Sequence, residues 1–406
     1  MSKVKSKVKS EAREKKKSAH EPLFHVAKRD RIPFWKSILI RFGAVLLAIA
    51  VCILFALIFA DVSPDMLIKS MVDGTFGTER RQWLTAEALA RLLGIALALT
   101  PAFVMRFWNI GGEGQVLMGA LASVTCVIYF GGKVSEPVLL LMMLAAALLA
   151  GALWGFIPSF FKALWNSNET LFTLMMNYVA IQLIEFMLVF WNPKHPNMDP
   201  LPHGHLNLFP SVEHYGDELT MIVIIFAVAL LMFIYLRYSK HGYEISVVGE
   251  SENTARYVGI SVKKVTMRTM ALSGLLCGLV GFLIVAVFDN SVSTETAGGL
   301  GFTAIMVSWM AKFNPLVMIG TAGIVAFLDK GAACLNTNLG SVQIDNFLTR
   351  SMGENAPTGI PTDLPNILVA IILFFIVGCE FFINYQLKFR KFEFGSKKTE
   401  RKEEAK

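Results

Sequence analysis

The sequence predicts an all-α, polytopic membrane protein with about ten transmembrane helices. Of its 406 residues, 54% are hydrophobic and only 17% are charged, whereas a soluble protein carries about 25% charged residues. The charged residues cluster, which leaves many charge-poor windows of about twenty residues, the length that crosses a hydrocarbon core. Because these apolar runs are continuous rather than alternating, a membrane β-barrel is excluded.

We predict ten spans, eight of which meet this criterion, with boundaries that are soft by a few residues. They are residues 38–60, 86–105, 112–130, 138–157, 171–190, 219–236, 267–288, 302–311, 316–328 and 364–384. The eighth and ninth segments are short and share the turn at Asn314 and Pro315. They therefore form either a half-membrane hairpin or tilted helices inside the bundle.

The distribution of basic residues predicts the orientation of the chain. Residues 1–37, 237–268 and 387–406 are rich in Lys and Arg, and the alternate loops hold far fewer. By the positive-inside rule, both termini lie in the cytoplasm, which requires an even number of crossings. The expected organisation is a basic disordered cytoplasmic tail (1–37), a membrane domain (38–386) with a cytoplasmic loop (237–268), and a second basic tail (387–406).

A polar segment, residues 109–115 (NIGGEGQ), follows the second span and includes the start of the third. Carboxylate and amide side chains at membrane depth are costly unless they face protein or a water-filled path. Two interpretations stay open. Asn109, Glu113 and Gln115 contact a polar substrate, or the segment is a tight turn whose carboxylate bonds nearby backbone amides.

A second polar insertion begins at Asn168 and Glu169, which are expected to cap the fifth span. Asn177 lies inside that span, where an inter-helical hydrogen bond is somewhat favoured over a ligand contact. With this residue the candidate substrate-path set is complete: Asn109, Glu113, Gln115 and Asn177. Farther along, residues 298–302 (GGLGF) indicate a kink or a close helix crossing before the eighth span.

The cytoplasmic loop predicts a short helix outside the bilayer. Ser251 is a suitable N-cap, and Gly259 is a suitable residue just beyond the C-terminus. We interpret a capped helix between two spans as a docking element for a groove on a cytoplasmic partner, in preference to a simple connection between the spans. The candidate contacts are Glu252, Ala255, Arg256 and Gly259.

Several chemistries have no pattern in this sequence. There is no phosphate-binding loop of the G-x-x-x-x-G-K-[ST] type, no H-E-x-x-H or G-x-S-x-G motif, and no paired-cysteine zinc pattern. The five cysteines are dispersed and imply no disulfide framework. We therefore predict no catalytic residue, no metal site, no cofactor and no nucleic-acid partner.

Four ordered motifs carry a family resemblance. Residues 108–115 (WNIGGEGQ) resemble the F-N-I-G-x-E-G-Q motif of permease subunits of bacterial ABC importers in the branched-chain amino acid and ribose permease group. Residues 168–178 (NETLFTLMMNY) resemble the N-E-x-x-x-T-x-M-x-N-Y motif of its nucleoside (basic membrane protein associated) branch. Residues 249–281 resemble the group's coupling loop and following helix, and residues 301–315 resemble the stretch after it. Trp108 stands where the motif prefers Phe, and the basic N-terminal tail is longer.

The resemblance implies a type II-like importer permease fold of ten helices in the bacterial cell membrane. It implies a second permease subunit (a paralogue or a second copy), ATP-binding subunits at the coupling loop, and an extracytoplasmic substrate-binding lipoprotein. ATP hydrolysis is then expected on a partner, and nucleosides are the expected substrate.

Other functions stay open from the sequence. They are a permease for ribose-type sugars or branched-chain amino acids, a secondary transporter, and a membrane-embedded enzyme that uses Glu113 or Glu169. The enzyme is disfavoured because neither carboxylate has a partner acid, nucleophile or metal motif.

Overall fold

The computed structural model describes residues 24–28, 33–60, 64–193, 198–210, 212, 215–339 and 364–389. Its strands are β1 (Phe24–Lys28) and β2 (Tyr385–Phe389). Its helices are α1 (Phe34–Ala60), α2 (Pro64–Phe76), α3 (Glu79–Val104), α4 (Gly112–Phe130), α5 (Glu136–Trp165), α6 (Glu169–Trp191), α7 (Gly216–Tyr238), α8 (Lys240–Glu250), α9 (Glu252–Tyr257), α10 (Val262–Leu283), α11 (Leu300–Met310), α12 (Pro315–Leu339) and α13 (Leu364–Asn384). A π-helical turn (Ile284–Asp289) extends α10.

Seven helices in the described part of the chain are long and apolar enough to cross a membrane. They are α3 to α7, α10 with its π-helical turn, and α12. Helix α13 coincides with the predicted span 364–384, and α4 with the predicted span 112–130. The total of ten crossings and the cytoplasmic location of both termini stay predictions.

The eighth and ninth spans differ from each other in length. Helix α11 has 11 residues, which gives about 16 Å of helix, roughly half of the hydrocarbon core. Helix α12 has 25 residues, so the predicted ninth span (316–328) was too short. A half-length helix at this depth leaves its N-terminal N–H groups in need of partners inside the protein.

Two helical features were not predicted. Helix α2 lies between the predicted spans 38–60 and 86–105. Its mixed polarity, with Asp65 and Lys69 paired at 2.7 Å, gives no continuous apolar window. Helix α3 starts at Glu79, seven residues before the predicted span 86–105. Its N-cap is Thr78, whose hydroxyl accepts a hydrogen bond from the Arg81 backbone nitrogen at 3.3 Å.

The two strands pair antiparallel within a unit formed by residues 1–50 and 374–406. Phe24 lies opposite Phe389, and Lys28 lies opposite Tyr385. This two-stranded pairing was not predicted from the sequence; the other regular elements of the described residues are helical, as the all-α class predicts. Pairing between distant segments has no local sequence signal. The rest of both predicted tails lies largely outside the described residues.

In the second unit, residues 51–373, α10 packs along α5 and against α3 and α4. Glycines allow this packing: a Cβ atom on Gly119 of α4 would lie 2.6 Å from the Cα atom of Gly278 on α10. On α5, Gly151 meets the backbone of Gly274 in the same way. Small residues at such crossings let membrane helices touch backbone to backbone. Helices α4, α5 and α10 therefore pack closely against one another.

Candidate functional site

The connection between α3 and α4 brings the polar segment into the protein. Arg106 has a positive φ of 60°, and the Phe107 nitrogen donates to the Ala102 oxygen at 2.9 Å. These two features end α3 and turn the chain inward. Asn109 then follows with 0% of its surface exposed.

The amide of Asn109 is fully engaged by protein groups. Its Nδ2 donates to Ser273 Oγ at 3.2 Å and lies 3.4 Å from Gln115 Oε1. Its Oδ1 accepts from the Gly111 nitrogen at 3.0 Å and from Gln115 Nε2 at 3.2 Å. The two amides therefore bond each other and join the start of α4 to α10.

Side chains of α6 form hydrogen bonds with backbone groups at the start of α4. Asn177 Oδ1 accepts from the Gly114 nitrogen at 2.9 Å, and its Nδ2 donates to the Ile110 oxygen at 2.9 Å. Thr173 Oγ1 accepts from the Ile110 nitrogen at 3.2 Å. The first N–H groups of a helix lack intrahelical partners, and Asn177 provides an acceptor for one of them, the N–H of Gly114. The structure thus shows the inter-helical hydrogen bond that was favoured for Asn177.

Glu113 connects α4 to α11. Its Oε1 accepts from the Gly299 nitrogen at 2.8 Å, and its Oε2 accepts from the Gly301 nitrogen at 2.8 Å. Gly298 and Gly299 have positive φ angles of 55° and 73°, which L side chains rarely adopt. The carboxylate therefore caps the N-terminus of the half-length helix, where a negative charge is favoured.

The four candidate path residues thus lie together, in a buried polar junction formed by Asn109, Glu113, Gln115 and Asn177. All four are nearly inaccessible: the most exposed of them, Glu113, has 6% of its surface exposed. This burial favours the structural interpretation of residues 109–115 and of Asn177 over direct substrate contact. Their polar atoms bond backbone and side chains across α4, α6, α10 and α11, which explains the burial. The amides bonded by Glu113 belong to a distant segment, not to a local turn.

Aromatic side chains form an exposed surface beside this junction. Trp108 and Trp309 lie 5.1 Å apart between ring centroids, and each has about two fifths of its surface exposed. Phe302 and Met306 are exposed on the same face of α11. Sequence reasoning passed over them because aromatic and Met residues in an apolar span resemble lipid-facing filler.

The predicted cytoplasmic helix is present as α9. Ser251 Oγ accepts from the Thr254 nitrogen at 3.3 Å, and Gly259 follows with a φ of 80°. Arg256 and Glu252 form an exposed pair at 3.2 Å. The N-cap and the C-terminal glycine were therefore predicted correctly.

Ala255 requires a correction as a partner contact, because it is fully buried at 0% exposure. It belongs to an apolar cluster with Met105, Phe107 and Val248, so it anchors α9 to the protein. The exposed tip of α9 consists instead of Tyr257, with 93% of its surface exposed, and Val258, with 61%. Their signal in the sequence was an aromatic residue at the end of a short polar helix.

A polar cavity of about 640 Å³ lies beside α9. Its lining residues come from the segment after α3, from α8 and α9, and from the ends of α5, α6 and α10. Its charged members are Arg106, Lys162, Glu169, Glu252, Arg256 and Lys263. Lys162 and Glu169 pair across the connection between α5 and α6 at 2.8 Å.

Nearby in α8, His241 contacts the hydroxyls of Tyr235 and Thr269, and burial lowers the pKa of its imidazole. Among the described residues, no cluster of three or more His, Cys, Asp or Glu could hold a metal ion.

Comparisons with known proteins place the chain among importer permeases. A family model described as "Branched-chain amino acid transport system / permease component" matches residues 83–379. The guanosine ABC transporter permease protein NupP of Bacillus subtilis is 28% identical over 315 residues, covering 76% of this chain and 84% of that protein. The glucose ABC transporter permease protein TsgB13 of Haloferax volcanii is 26% identical over 333 residues, covering 75% and 79%. The nucleoside ABC transporter permease protein NupB of Lactococcus lactis subsp. cremoris is 24% identical over 352 residues, covering 84% and 89%.

Proposed function

The chain belongs to the family of permease components of branched-chain amino acid transport systems, and we propose that it forms the membrane path of an ATP-driven nucleoside importer. It is a transport subunit and a multi-pass protein of the cell membrane. The observation that carries the substrate class is the similarity to NupP and NupB, which extends over 76% and 84% of this chain. We propose the type II-like permease fold, with ten crossings and both termini in the cytoplasm.

Permeases of ABC transporters work with an ATP-binding subunit and, in importers, with a substrate-binding protein. For this chain we propose two ATP-binding subunits in the cytoplasm, a second permease that is a paralogue or a second copy, and an extracytoplasmic binding lipoprotein. ATP hydrolysis then takes place on the partner.

The proposed docking site for the ATP-binding subunit is the tip of α9. Tyr257 and Val258 are exposed there, and the Glu252–Arg256 pair flanks them. A nearly fully exposed tyrosine beside charged residues is the kind of anchor that dominates protein–protein interfaces. Gly259 ends the helix and lets the chain turn away from the partner.

Contacts between neighbouring elements connect α9 to the buried junction. Ala255 packs with Met105 and Phe107, which lie a few positions before Asn109 in the connection between α3 and α4. Glu113 then joins the start of α4 to α11. We propose that a displacement of α9 by the ATP-binding subunits shifts this connection and, through Glu113, moves α11. An ATP-driven change of access needs contacts that differ between the two states, and this chain of contacts supplies a route for them.

Within this proposal the buried junction positions helices rather than touching the cargo. Asn109 and Gln115 hold α4 on α10, Asn177 holds α4 on α6, and Glu113 holds α11. In this proposal, hydrogen bonds at the junction fix the positions of these helices along the path.

One further substrate class is favoured by a specific observation, the 26% identity to a glucose permease. Uptake of labelled guanosine, glucose and leucine separates the classes, measured in cells that express the whole importer and lack their own transporters for these solutes. We expect ATP-dependent guanosine uptake that unlabelled nucleosides inhibit and glucose does not. Uptake of glucose or leucine without guanosine uptake would overturn the nucleoside assignment.

A further inference from the structure

We infer that one stripe of α6, formed by Tyr178, Gln182 and Glu185, lines the aqueous path and contacts the nucleoside during transport. The inference rests on the proposed function and deepens it, because it names residues that touch the cargo. None of the three belongs to the buried junction.

The three residues share one face of the helix. They are spaced by four and three positions, which places them on one side of an α-helix. All three are exposed, Tyr178 to 59%. Gln182 Nε2 donates to Glu185 Oε2 at 3.3 Å, so the amide and the carboxylate form a pair on the surface.

This polar pair lies deep in the predicted span. Helix α6 has 23 residues, so its midpoint is Ala180. At 1.5 Å per residue, Gln182 lies about 3 Å and Glu185 about 8 Å beyond the midpoint, well within the half-thickness of about 15 Å of a hydrocarbon core. An exposed carboxylate at this depth is costly in lipid and is expected to face water or protein.

The exposed faces of the neighbouring spans differ in composition. On α5 the exposed residues from position 138 to position 160 are all apolar: Val138, Leu141, Ala145, Leu149, Leu153 and Phe160. On α7 the same holds from position 223 to position 234: Val223, Phe226, Ala227, Leu230, Leu231 and Ile234. Those faces suit lipid, whereas the α6 stripe does not.

The apolar flank of α6 sharpens this contrast. Val179, Phe186 and Phe190 are exposed and rotated by about 80–120° from Tyr178 at 100° per residue, and exposed Leu171, Met175 and Val189 lie within about 60° of Tyr178 toward the helix ends. The polar part of α6 is therefore the middle of this face, at Gln182 and Glu185, between exposed apolar residues nearer its two ends. Asn177, next to Tyr178, bonds the start of α4 and so fixes the rotation of the stripe.

The chemistry of the stripe fits a nucleoside. The Gln182–Glu185 contact uses one amide hydrogen and one carboxylate oxygen, and the remaining donor and acceptors can bond ribose hydroxyls and the polar edge of a base. The ring of Tyr178 offers a face on which a base can stack. Few contacts are expected, because a transported solute must bind weakly enough to be released.

Cysteine accessibility tests the location. Gln182→Cys is placed in the complete importer whose native cysteines have been replaced, and a hydrophilic thiol reagent is applied with and without guanosine. We expect labelling of position 182 that guanosine slows. Leu149→Cys on α5 and Phe186→Cys on α6 are matched controls that should label poorly. Failure of position 182 to label in every nucleotide state of the ATPase would overturn the inference, as would labelling that guanosine leaves unchanged. Labelling that appears only when the second permease is omitted would show that the stripe is a subunit interface, which also overturns it.

Transport by variants tests the contact. Loss of one hydrogen bond to the cargo is worth about 1 kcal/mol, or about fivefold in rate or affinity. We therefore expect Gln182→Leu to reduce guanosine uptake per complex by about fivefold to tenfold, with ATPase assembly and binding of the lipoprotein unchanged. The control Phe186→Leu should stay within about twofold of the wild type, because Phe186 is exposed on the apolar flank and surface substitutions usually have small effects. Unchanged uptake in Gln182→Leu would sink this inference and leave the proposed function intact. Absence of guanosine uptake by the wild-type importer would instead sink the proposed function.

Discussion

The Glu113 carboxylate lies 2.8 Å from the backbone nitrogen of Gly301, the second residue of α11. The two residues are 188 positions apart in the sequence. A Cβ atom on Gly301 would lie 2.5 Å from the Glu113 nitrogen, so the contact also requires a glycine. The start of one helix is thus held directly by the start of another.

Replacement of Glu113 by Gln is expected to slow transport. An amide offers one acceptor oxygen for two N–H donors and places its own NH₂ group against the second donor. Charge-assisted hydrogen bonds contribute about 1.5–3 kcal/mol each, so uptake per folded complex should fall on the order of tenfold if α11 loses its position. The measurement is guanosine uptake by complexes matched for amount by size-exclusion chromatography. Unchanged uptake and unchanged recovery of folded protein would contradict the role of Glu113.

Truncation of Tyr257 is expected to weaken ATPase docking. Interface anchors of this kind cost about 2 kcal/mol or more when truncated, so Tyr257→Ala should reduce the affinity for the ATP-binding subunit at least about thirtyfold. Co-purification and a binding assay in detergent measure the effect. Asn253→Ala, on the exposed surface of the same helix, is the matched control. Retention of the ATPase by Tyr257→Ala at wild-type strength would refute the docking site.

Ala255→Asp should behave differently from Tyr257→Ala. It places a carboxylate inside the buried cluster with Met105 and Phe107, and an unpaired buried charge is strongly destabilising. We expect a loss of folded protein rather than a selective loss of docking, measured as the monodisperse fraction after purification. A well-folded variant that only fails to bind the ATPase would show that Ala255 contacts the partner.

Valine in place of Gly278 is expected to destabilise the membrane domain. A Cβ at this position would meet the Ala147 backbone on α5, and overpacking of this kind costs about 1–3 kcal/mol. The midpoint of thermal unfolding of the purified complex should fall. The control is Gly320→Ala, because a Cβ at position 320 meets nothing within 4 Å. Equal midpoints for the two variants would contradict the close packing of α5 and α10.

The orientation of the chain can be tested with single cysteines. Lys133, in the turn between α4 and α5, and Lys264, near the start of α10, are both exposed. With the positive-inside orientation, an impermeant thiol reagent applied to intact cells should label Lys133→Cys but not Lys264→Cys. The reverse pattern would invert the topology.

Features of the structure that depend on local sequence, such as helix bounds and helix caps, were predicted correctly. Continuous apolar windows gave the bounds of α4 and α13, and capping chemistry gave both ends of α9. The polar segments at residues 109–115 and at Asn177 were recognised as exceptional because polar groups inside a span need an explanation.

Long-range relationships could not be read in this way. The bonds from Glu113 to Gly299 and Gly301 depend on how α4 and α11 pack, which no local pattern encodes. For the same reason, Ala255 and Tyr257, only two positions apart, were not recognised as buried and exposed. The α6 stripe became visible only when its exposure could be compared with that of α5 and α7.

The most direct test of the central claim is ATP-driven accumulation of guanosine in proteoliposomes. The liposomes contain this chain with its second permease and ATP-binding subunits, and the binding lipoprotein is supplied on the outer face. We predict accumulation against a gradient that requires ATP inside the vesicle and is lost with Tyr257→Asp. Accumulation that persists without ATP or without the ATP-binding subunits would contradict the account, as would a complex that hydrolyses ATP yet never accumulates a nucleoside.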